Sequence, residues 1–243
     1  FSSYSNEVMQ RTEVVAPFSV NQNKFEIPIY DIVEFTIPVE IDVENPFDRK
    51  NIEVIGIITT PKKENIEVFG FYYQDYKASL IDGKEILNKY GEPKFKIRYT
   101  PTITGFYKVK IRIHKKGVIS ERYFDYFYGK PSGHRGFIRA YSGNSYFVSD
   151  IGKTFIPIGL NMGWVDDAGI FHYDEWLSKL SNNNGNFVRL WMAFFGGTGL
   201  EWSSNKGKGE YKGLGYYAQD NAWRIDHILQ TAKELGIYVL LTL

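Results

Sequence analysis

The sequence contains no cysteine, so disulfides, thiolate nucleophiles and Cys-ligated zinc or iron–sulfur sites are excluded. It has almost no net charge: 29 Lys+Arg stand against 28 Asp+Glu, which removes the summed field that favours nucleic acid or an anionic membrane as partner. No apolar run approaches the ~20 residues of a membrane span. The opening Phe1-Ser2-Ser3-Tyr4 has neither a basic nor an apolar leader region. Gly159-Leu160-Asn161-Met162-Gly163-Trp164 misses the spacing of a dinucleotide-binding loop, and no Walker A sequence occurs. His114, His134, His172 and His227 are scattered, with no carboxylates at ligand spacing. No metal site and no cofactor are therefore expected.

Aromatic residues are what the chain has in excess, 17% of the total with 18 Tyr, 18 Phe and 5 Trp. Such rings can fill a β-rich core or offer flat faces to sugar rings. In the first half, apolar residues recur at every second position. Val33, Phe35, Ile37, Val39, Ile41 and Val43 alternate with polar residues, and the same period returns at Phe25/Ile27/Ile29, Phe95/Ile97/Tyr99 and Tyr107/Val109/Ile111/Ile113. These patterns, with Ile52 to Ile58, Val68 to Tyr73 and Tyr123 to Tyr128, read as half-buried strands. Asn45-Pro46, Thr60-Pro61, Asp82-Gly83, Tyr90-Gly91, Thr104-Gly105 and Lys116-Gly117 supply turns between them. About seven short antiparallel strands predict a β-sandwich over residues 1–132, ending near Gly129-Lys130-Pro131-Ser132-Gly133.

After this boundary the period changes. Phe137 to Phe155 reads as short strands with turns at Ser142-Gly143-Asn144 and Asp150-Ile151-Gly152-Lys153. A short apolar strand at Phe155 to Gly159 is followed by a helix over Tyr173 to Leu180 that stops at Asn182-Asn183-Asn184-Gly185. A strand at Phe187 to Met192, a helix from Asp220 with Ile225, Ile228, Leu229, Ala232 and Leu235 on one face, a stop at Gly236 and a strand at Ile237 to Leu243 complete the pattern. Alternation of strands and helices predicts parallel β-α-β units, which suit a barrel or a doubly wound sheet equally.

The residues Lys153-Thr154-Phe155-Ile156-Pro157-Ile158-Gly159-Leu160-Asn161, Asn186-Phe187-Val188-Arg189-Leu190-Trp191 and Arg224-Ile225-Asp226, with Ala232-Lys233-Glu234-Leu235-Gly236-Ile237-Tyr238-Val239, resemble the opening of a clan A, family 5-like glycoside hydrolase. Gly105-Phe106-Tyr107 and its neighbouring strands resemble the β-sandwich module of unknown function that precedes such barrels in bacterial polysaccharide-degrading enzymes. The resemblance implies a sandwich over 1–132 and, over 133–243, an incomplete (β/α)8 barrel of three strands and two helices.

Retaining glycosidases set a carboxylic acid and a nucleophilic carboxylate ~5–5.5 Å apart across an oxocarbenium-like transition state. In the resembled family both are Glu, on barrel strands four and seven, positions that lie beyond Leu243 in the expected alignment. The chain is thus expected to be a fragment, inactive alone, and no catalytic residue is assigned in it. Arg189 is implied as a supporting residue that hydrogen-bonds the nucleophile and keeps it ionised; otherwise it is a structural ion-pair partner. Asn161 and Trp164, with Trp191, Phe194 and Trp202, are candidate sugar-binding residues. Asn161 as a loop cap and Trp164 as core are the alternatives.

The 27-residue stretch Ala193 to Gln219 is too long for a plain connection and carries Phe194, Phe195, Trp202, Tyr211, Tyr216 and Tyr217 among glycines. It suits an aromatic wall, or a loop that buries its own rings. Asp166, Asp167 and Glu201 are the acids placed in the same region, either as an acid–base pair or as solvated loop charges. The expected protein is a secreted or cell-surface hydrolase of β-linked polysaccharide, with carbohydrate as partner and neither nucleic acid nor membrane. Self-association through the edge of the incomplete barrel is also expected, since an unpaired strand edge invites pairing. The rival reading is a non-catalytic carbohydrate-binding or adhesion protein.

Overall fold

The computed structural model describes residues 18–141, 143, 146–202, 211 and 213–242, with the backbone alone at 122–126. The chain divides into two compact units, one formed by residues up to 71 with 95–132 and the other by residues 72–94 with those from 133 onward.

The first unit is built from two sheets. Its strands are β1 (Asn21–Gln22), β2 (Glu26–Pro28), β3 (Val33–Ile37), β4 (Ile52–Thr59), β5 (Asn65–Phe69), the start of β6 (Phe71–Ile81), the end of β7 (Lys84–Tyr99), β8 (Gly105–Lys115) and β9 (Val118–Lys130). One sheet runs in the order β1-β3-β7-β6 and the other β2-β9-β8-β4-β5. The period-2 faces meet between them: Val33, Phe35, Ile37, Ile97, Ile58, Tyr107, Ile111 and Phe127 are buried. Phe35 lies 6.3 Å from Phe127, and Tyr107 stacks on Phe127 at 4.7 Å between ring centroids. The Tyr107 hydroxyl keeps a partner in this apolar layer by donating to the Ile103 carbonyl at 2.8 Å.

Several strand ends depart from the alternation pattern for identifiable reasons. β3 stops at Ile37 although the apolar period continues to Val43, because Pro38 has no N–H to extend the ladder. Gly70 separates β5 from β6. Tyr90-Gly91, expected to turn the chain, instead lies inside β7, where Gly91 takes φ 64°. Asp82-Gly83 is a true two-residue hairpin turn, with φ 48° and 74°, the left-handed pair that matches strand twist. The unit is not purely antiparallel either, since β2 runs parallel to β9.

In the second unit, β10 (Ile138–Ala140), β11 (Phe147–Ser149) and β12 (Thr154–Phe155) form a small antiparallel sheet. The turn expected at Ser142-Gly143-Asn144 lies outside the described residues except for Gly143. Then come β13 (Gly159–Asn161), α1 (Ile170–Asn182), β14 (Phe187–Trp191), α2 (Gln219–Glu234) and β15 (Tyr238–Thr242), the strands pairing in parallel in the order β13-β14-β15. Met162, Tyr173, Leu177, Val188, Leu190, Ile228 and Ala232 make the core between this sheet and its two helices.

The expected incomplete (β/α)8 barrel is not what forms. Strand dominates the described structure, only two α-helices occur in it, and the three parallel strands make an open sheet with no barrel closed around them. Adjacent strands turn by only ~20–25°, so three of them cannot curl into a tube, and closure requires a matched strand number, tilt and stagger. The alternation of periods told parallel crossover connections apart from hairpins, yet carried no information on curvature.

Helix α1 begins three residues before the sequence pattern predicts. Its N-terminus has no side-chain cap of its own and no acidic residue in its first turn. Glu85, at the tip of the β6–β7 hairpin, supplies both: its Oε1 accepts from the Ile170 backbone N–H at 2.8 Å, and its own N–H donates to the Asp167 carbonyl at 2.8 Å.

Candidate functional site

β14 places its side chains by simple alternation. Val188 and Leu190 are buried against the helices, so Phe187, Arg189 and Trp191 face the other side of the sheet. Partners in a parallel ladder share a face; the register Asn161↔Arg189↔Leu240 therefore makes one row and Trp191↔Thr242 the next. Arg189 donates from Nε to Thr242 Oγ1 at 3.1 Å, and its guanidinium carbon sits 5.4 Å from the centre of the Trp191 ring. Among the described residues no carboxylate pairs with Arg189 and none bonds Asn161.

Past the strand end, aromatic rings touch in an unbroken series. Trp191 lies 5.2 Å from Trp164, Trp164 5.4 Å from Phe195, Phe195 5.1 Å from Phe194, Phe194 4.9 Å from Trp202 and Trp202 5.3 Å from Tyr211. The rings are not core. Trp164 is 52% exposed, and Phe194, Phe195 and Tyr211 are also exposed. Gly163 makes the tight point of this wall: a Cβ there would come within 3.1 Å of the Trp191 indole, so the absence of a side chain lets the backbone lie against the ring. The Trp191 indole Nε1 is buried with no hydrogen-bond partner among the described residues, a donor without an acceptor.

Two clefts adjoin at the Trp164–Trp191 pair. One, of about 310 Å³, is lined by Arg189, Trp191, Met192, Ala193, Phe195 and Thr242. The larger, of about 610 Å³, runs along the free edge of β13 and is lined by Leu160, Asn161, Met162, Gly163, Trp164, Trp176, Lys179, Leu180 and Asn183. Among the described residues no carboxylate lines either one. Among the described residues nothing pairs with β13 on the side of the larger cleft; the smaller one holds the guanidinium, and is the better candidate for chemistry.

The fold brings Asn161, Trp164, Arg189, Trp191, Phe194 and Trp202 together at one end of the parallel sheet. Phe195 and Thr242 join them, the first through a 3-10 turn at Phe194–Gly196 and the second through the parallel register. Asp166, itself exposed, instead serves its own loop, with Oδ1 accepting from the Ala168 N–H at 3.0 Å and lying 2.7 Å from His172 Nδ1. Asp167 and Glu201 line neither cleft. Of the long loop, residues 203–210 and 212 lie outside the described residues. His227 and Thr231 on α2 both reach Asp174 on α1, with His227 Nε2 2.9 Å from Asp174 Oδ1 and Thr231 Oγ1 donating to the same oxygen at 3.1 Å, which is helix-to-helix packing. No group of three His, Cys, Asp or Glu among the described residues could hold a metal, and no described helix is long and apolar enough to cross a membrane.

No family model and no curated protein matches the chain. Among solved structures, a candidate glycoside hydrolase from Bacteroides vulgatus ATCC 8482 superposes with a TM-score of 0.63 at 16% identity, over 90% of this chain and 41% of that one. The chain thus spans under half the length of that protein, and the likeness is one of fold. Cwp6 from Clostridium difficile (8% identity, TM-score 0.26, 93% of this chain and 37% of that one) and a Bacteroides ovatus GH5 xyloglucanase in complex with a XXXG heptasaccharide (8% identity, TM-score 0.23, 92% and 45%) agree too little in shape to inform the fold.

Proposed function

We propose that this chain is the carbohydrate-binding part of a glycoside hydrolase acting on β-linked polysaccharide, with the aromatic wall from Trp191 to Tyr211 as its sugar platform. The observation that carries the reading is the unbroken ring series, with Trp164, Phe194, Phe195 and Tyr211 exposed, beside a cleft that offers a guanidinium. A pyranose ring has apolar C–H faces that stack on aromatic planes, while its equatorial hydroxyls need donors and acceptors at the rim. Trp164 offers the plane; Arg189 and Asn161 offer the rim. The near-neutral chain suits an uncharged glycan.

Hydrolysis by a retaining pair of carboxylates belongs to the same proposal, with Arg189 as the group that would hold the nucleophile ionised. Among the described residues no carboxylate lines the clefts, which favours the second reading, a non-catalytic carbohydrate-binding or adhesion role, for this chain taken alone. Calorimetric titration with cellohexaose, xylohexaose and mannohexaose tests the platform. Binding of at least one, lost in Trp164→Ala, is expected; no binding, or an unchanged Trp164→Ala, sinks the glycan reading. In an active full-length enzyme Arg189→Ala is expected to depress kcat far more than it raises KM. An effect confined to KM would leave Arg189 as a binding residue and remove its link to a nucleophile.

A further inference from the structure

The rings of the wall stand on a loop, and loops drift unless something holds them. Behind Phe194 and Trp202, the first turn of α2 carries Asn221, fully buried at 0% exposure. Its Nδ2 donates to two loop carbonyls, Gly199 O at 2.8 Å and Trp202 O at 3.2 Å. Both amide hydrogens are thereby used on the segment that presents Trp202 to Phe194. The amide cannot be turned round, because Oδ1 accepts from Arg224 Nη1 at 2.6 Å, and a guanidinium has no lone pair to offer the amide nitrogen.

Arg224 is in turn fixed. Its Nε donates to Glu85 Oε2 at 2.5 Å, and the two side chains are only 9% and 1% exposed. The second oxygen of Glu85 accepts from the Ile170 N–H at the start of α1. One buried carboxylate, from a hairpin tip 139 residues away in sequence, therefore orients the guanidinium that orients the amide that grips the loop. Replacing this string by apolar residues of equal volume would remove the cap of α1 and would leave Gly199 O and Trp202 O without these donors.

We propose that Glu85, Arg224 and Asn221 are positioning residues that set the shape, and hence the glycan affinity, of the aromatic wall; the link to affinity rests on the proposed carbohydrate function. None of the three touches either cleft. They act through the carbonyls of Gly199 and Trp202.

The test uses the full chain and two readouts. Asn221→Asp keeps the volume and the acceptor for Arg224 but presents an oxygen where the loop needs two N–H donors; Glu85→Gln keeps the shape and one acceptor but removes the charge. Hydrogen exchange of the amides at 199–202 should quicken by about tenfold or more in Asn221→Asp and by a smaller factor in Glu85→Gln, as two hydrogen bonds or one charge-assisted bond are lost. Affinity for the hexasaccharide that binds best should fall by about the same factors at a temperature where circular dichroism shows both variants folded. Unchanged exchange over 199–202 in folded Asn221→Asp overturns the proposal, whatever sugars do. Faster exchange with unchanged affinity, in a protein whose Trp164→Ala variant loses binding, overturns the link to affinity. If Trp164→Ala leaves binding intact, the carbohydrate reading itself is lost, and the exchange measurement still decides the role of the network. Should Asn221→Asp not fold, Asn221→Ser, which drops the amide without adding charge, gives the same exchange readout.

Discussion

One aromatic cluster in each unit shows how differently touching rings can be used. In the first, Phe35, Tyr107 and Phe127 are fully buried between two sheets, with Tyr107 and Phe127 in flat stacking. In the second, Trp164, Phe195 and Phe194 touch in turn at similar ring-to-ring distances yet stay exposed. The same residue class at the same ring-to-ring distances is core in one place and surface in the other. Ring contact therefore does not by itself identify a core; what decides is whether a second layer covers the rings. Exposed aromatic area has a hydrophobic cost, and a wall of it points to a ligand that covers it.

The largest test of this contrast is Phe127→Ala. It should cost ~3–5 kcal/mol by removing a buried ring and leaving a cavity, read as a shift in the urea midpoint. A loss below ~1 kcal/mol would show that the sheets close up around the vacated space, contrary to a rigid core.

Alkaline pH should strain both units together. Burial pushes Tyr99 in the first unit up to about 12, and burial followed by the Asp220 carboxylate pushes Tyr76 in the second up to about 12. Burial also raises Tyr173, whose hydroxyl has no hydrogen-bond partner among the described residues. A folded-state pKa above the unfolded value favours the folded form while the phenol is neutral. This stabilisation is complete below pH ~10 and is lost as pH rises from there through about 12. Melting temperature should accordingly not respond to these groups between pH 7 and 9 and should fall beyond 10, in step with phenolate absorbance. Phenolate appearing at pH ~10 with no loss of stability would mean these rings are solvated.

A smaller effect is expected at Gly163, where Gly163→Ala forces a methyl group against the Trp191 ring and should cost ~1–3 kcal/mol, with a change in tryptophan emission. Trp164→Ala should then separate the two uses of aromatic residues. Its stability cost should stay below ~1 kcal/mol while glycan affinity falls by an order of magnitude or more, and a cost matching that of Phe127→Ala would return Trp164 to the core. At the bottom of the scale, Lys179→Ala breaks an exposed ion pair with Glu175 on α1 and should shift stability by no more than ~0.5 kcal/mol.

Much of the local structure was legible. Alternating apolar residues located β2, β3, the end of β7 and β8, and 3.6-residue spacing located α1 and α2 between strands that do run parallel. Asp82-Gly83 and Gly236 mark real turns because a left-handed backbone leaves few other residue choices. The candidate residues Asn161, Trp164, Arg189, Trp191, Phe194 and Trp202 do gather at one end of one sheet. What failed had no local signal. Tyr90-Gly91 reads as a turn on composition, yet cross-strand pairing carries β7 straight through it. The barrel was implied by a resemblance of short motifs, while the alternation of strand and helix suited a barrel or a doubly wound sheet equally, because it says how strands connect and nothing about how far a sheet curves.

The sequence by itself determined where strands and helices start to form, which faces they bury and that this chain carries no thiol, because those depend on residue type and on spacing along a few turns of chain. Only the tertiary structure decided that three parallel strands stay open, that Trp164 is surface while Phe127 is core, and that Glu85 caps α1 and steers Arg224. These outcomes depend on which distant segment arrives to cover a face or satisfy a buried donor, and 139 residues of separation between Glu85 and Arg224 leave no periodic trace.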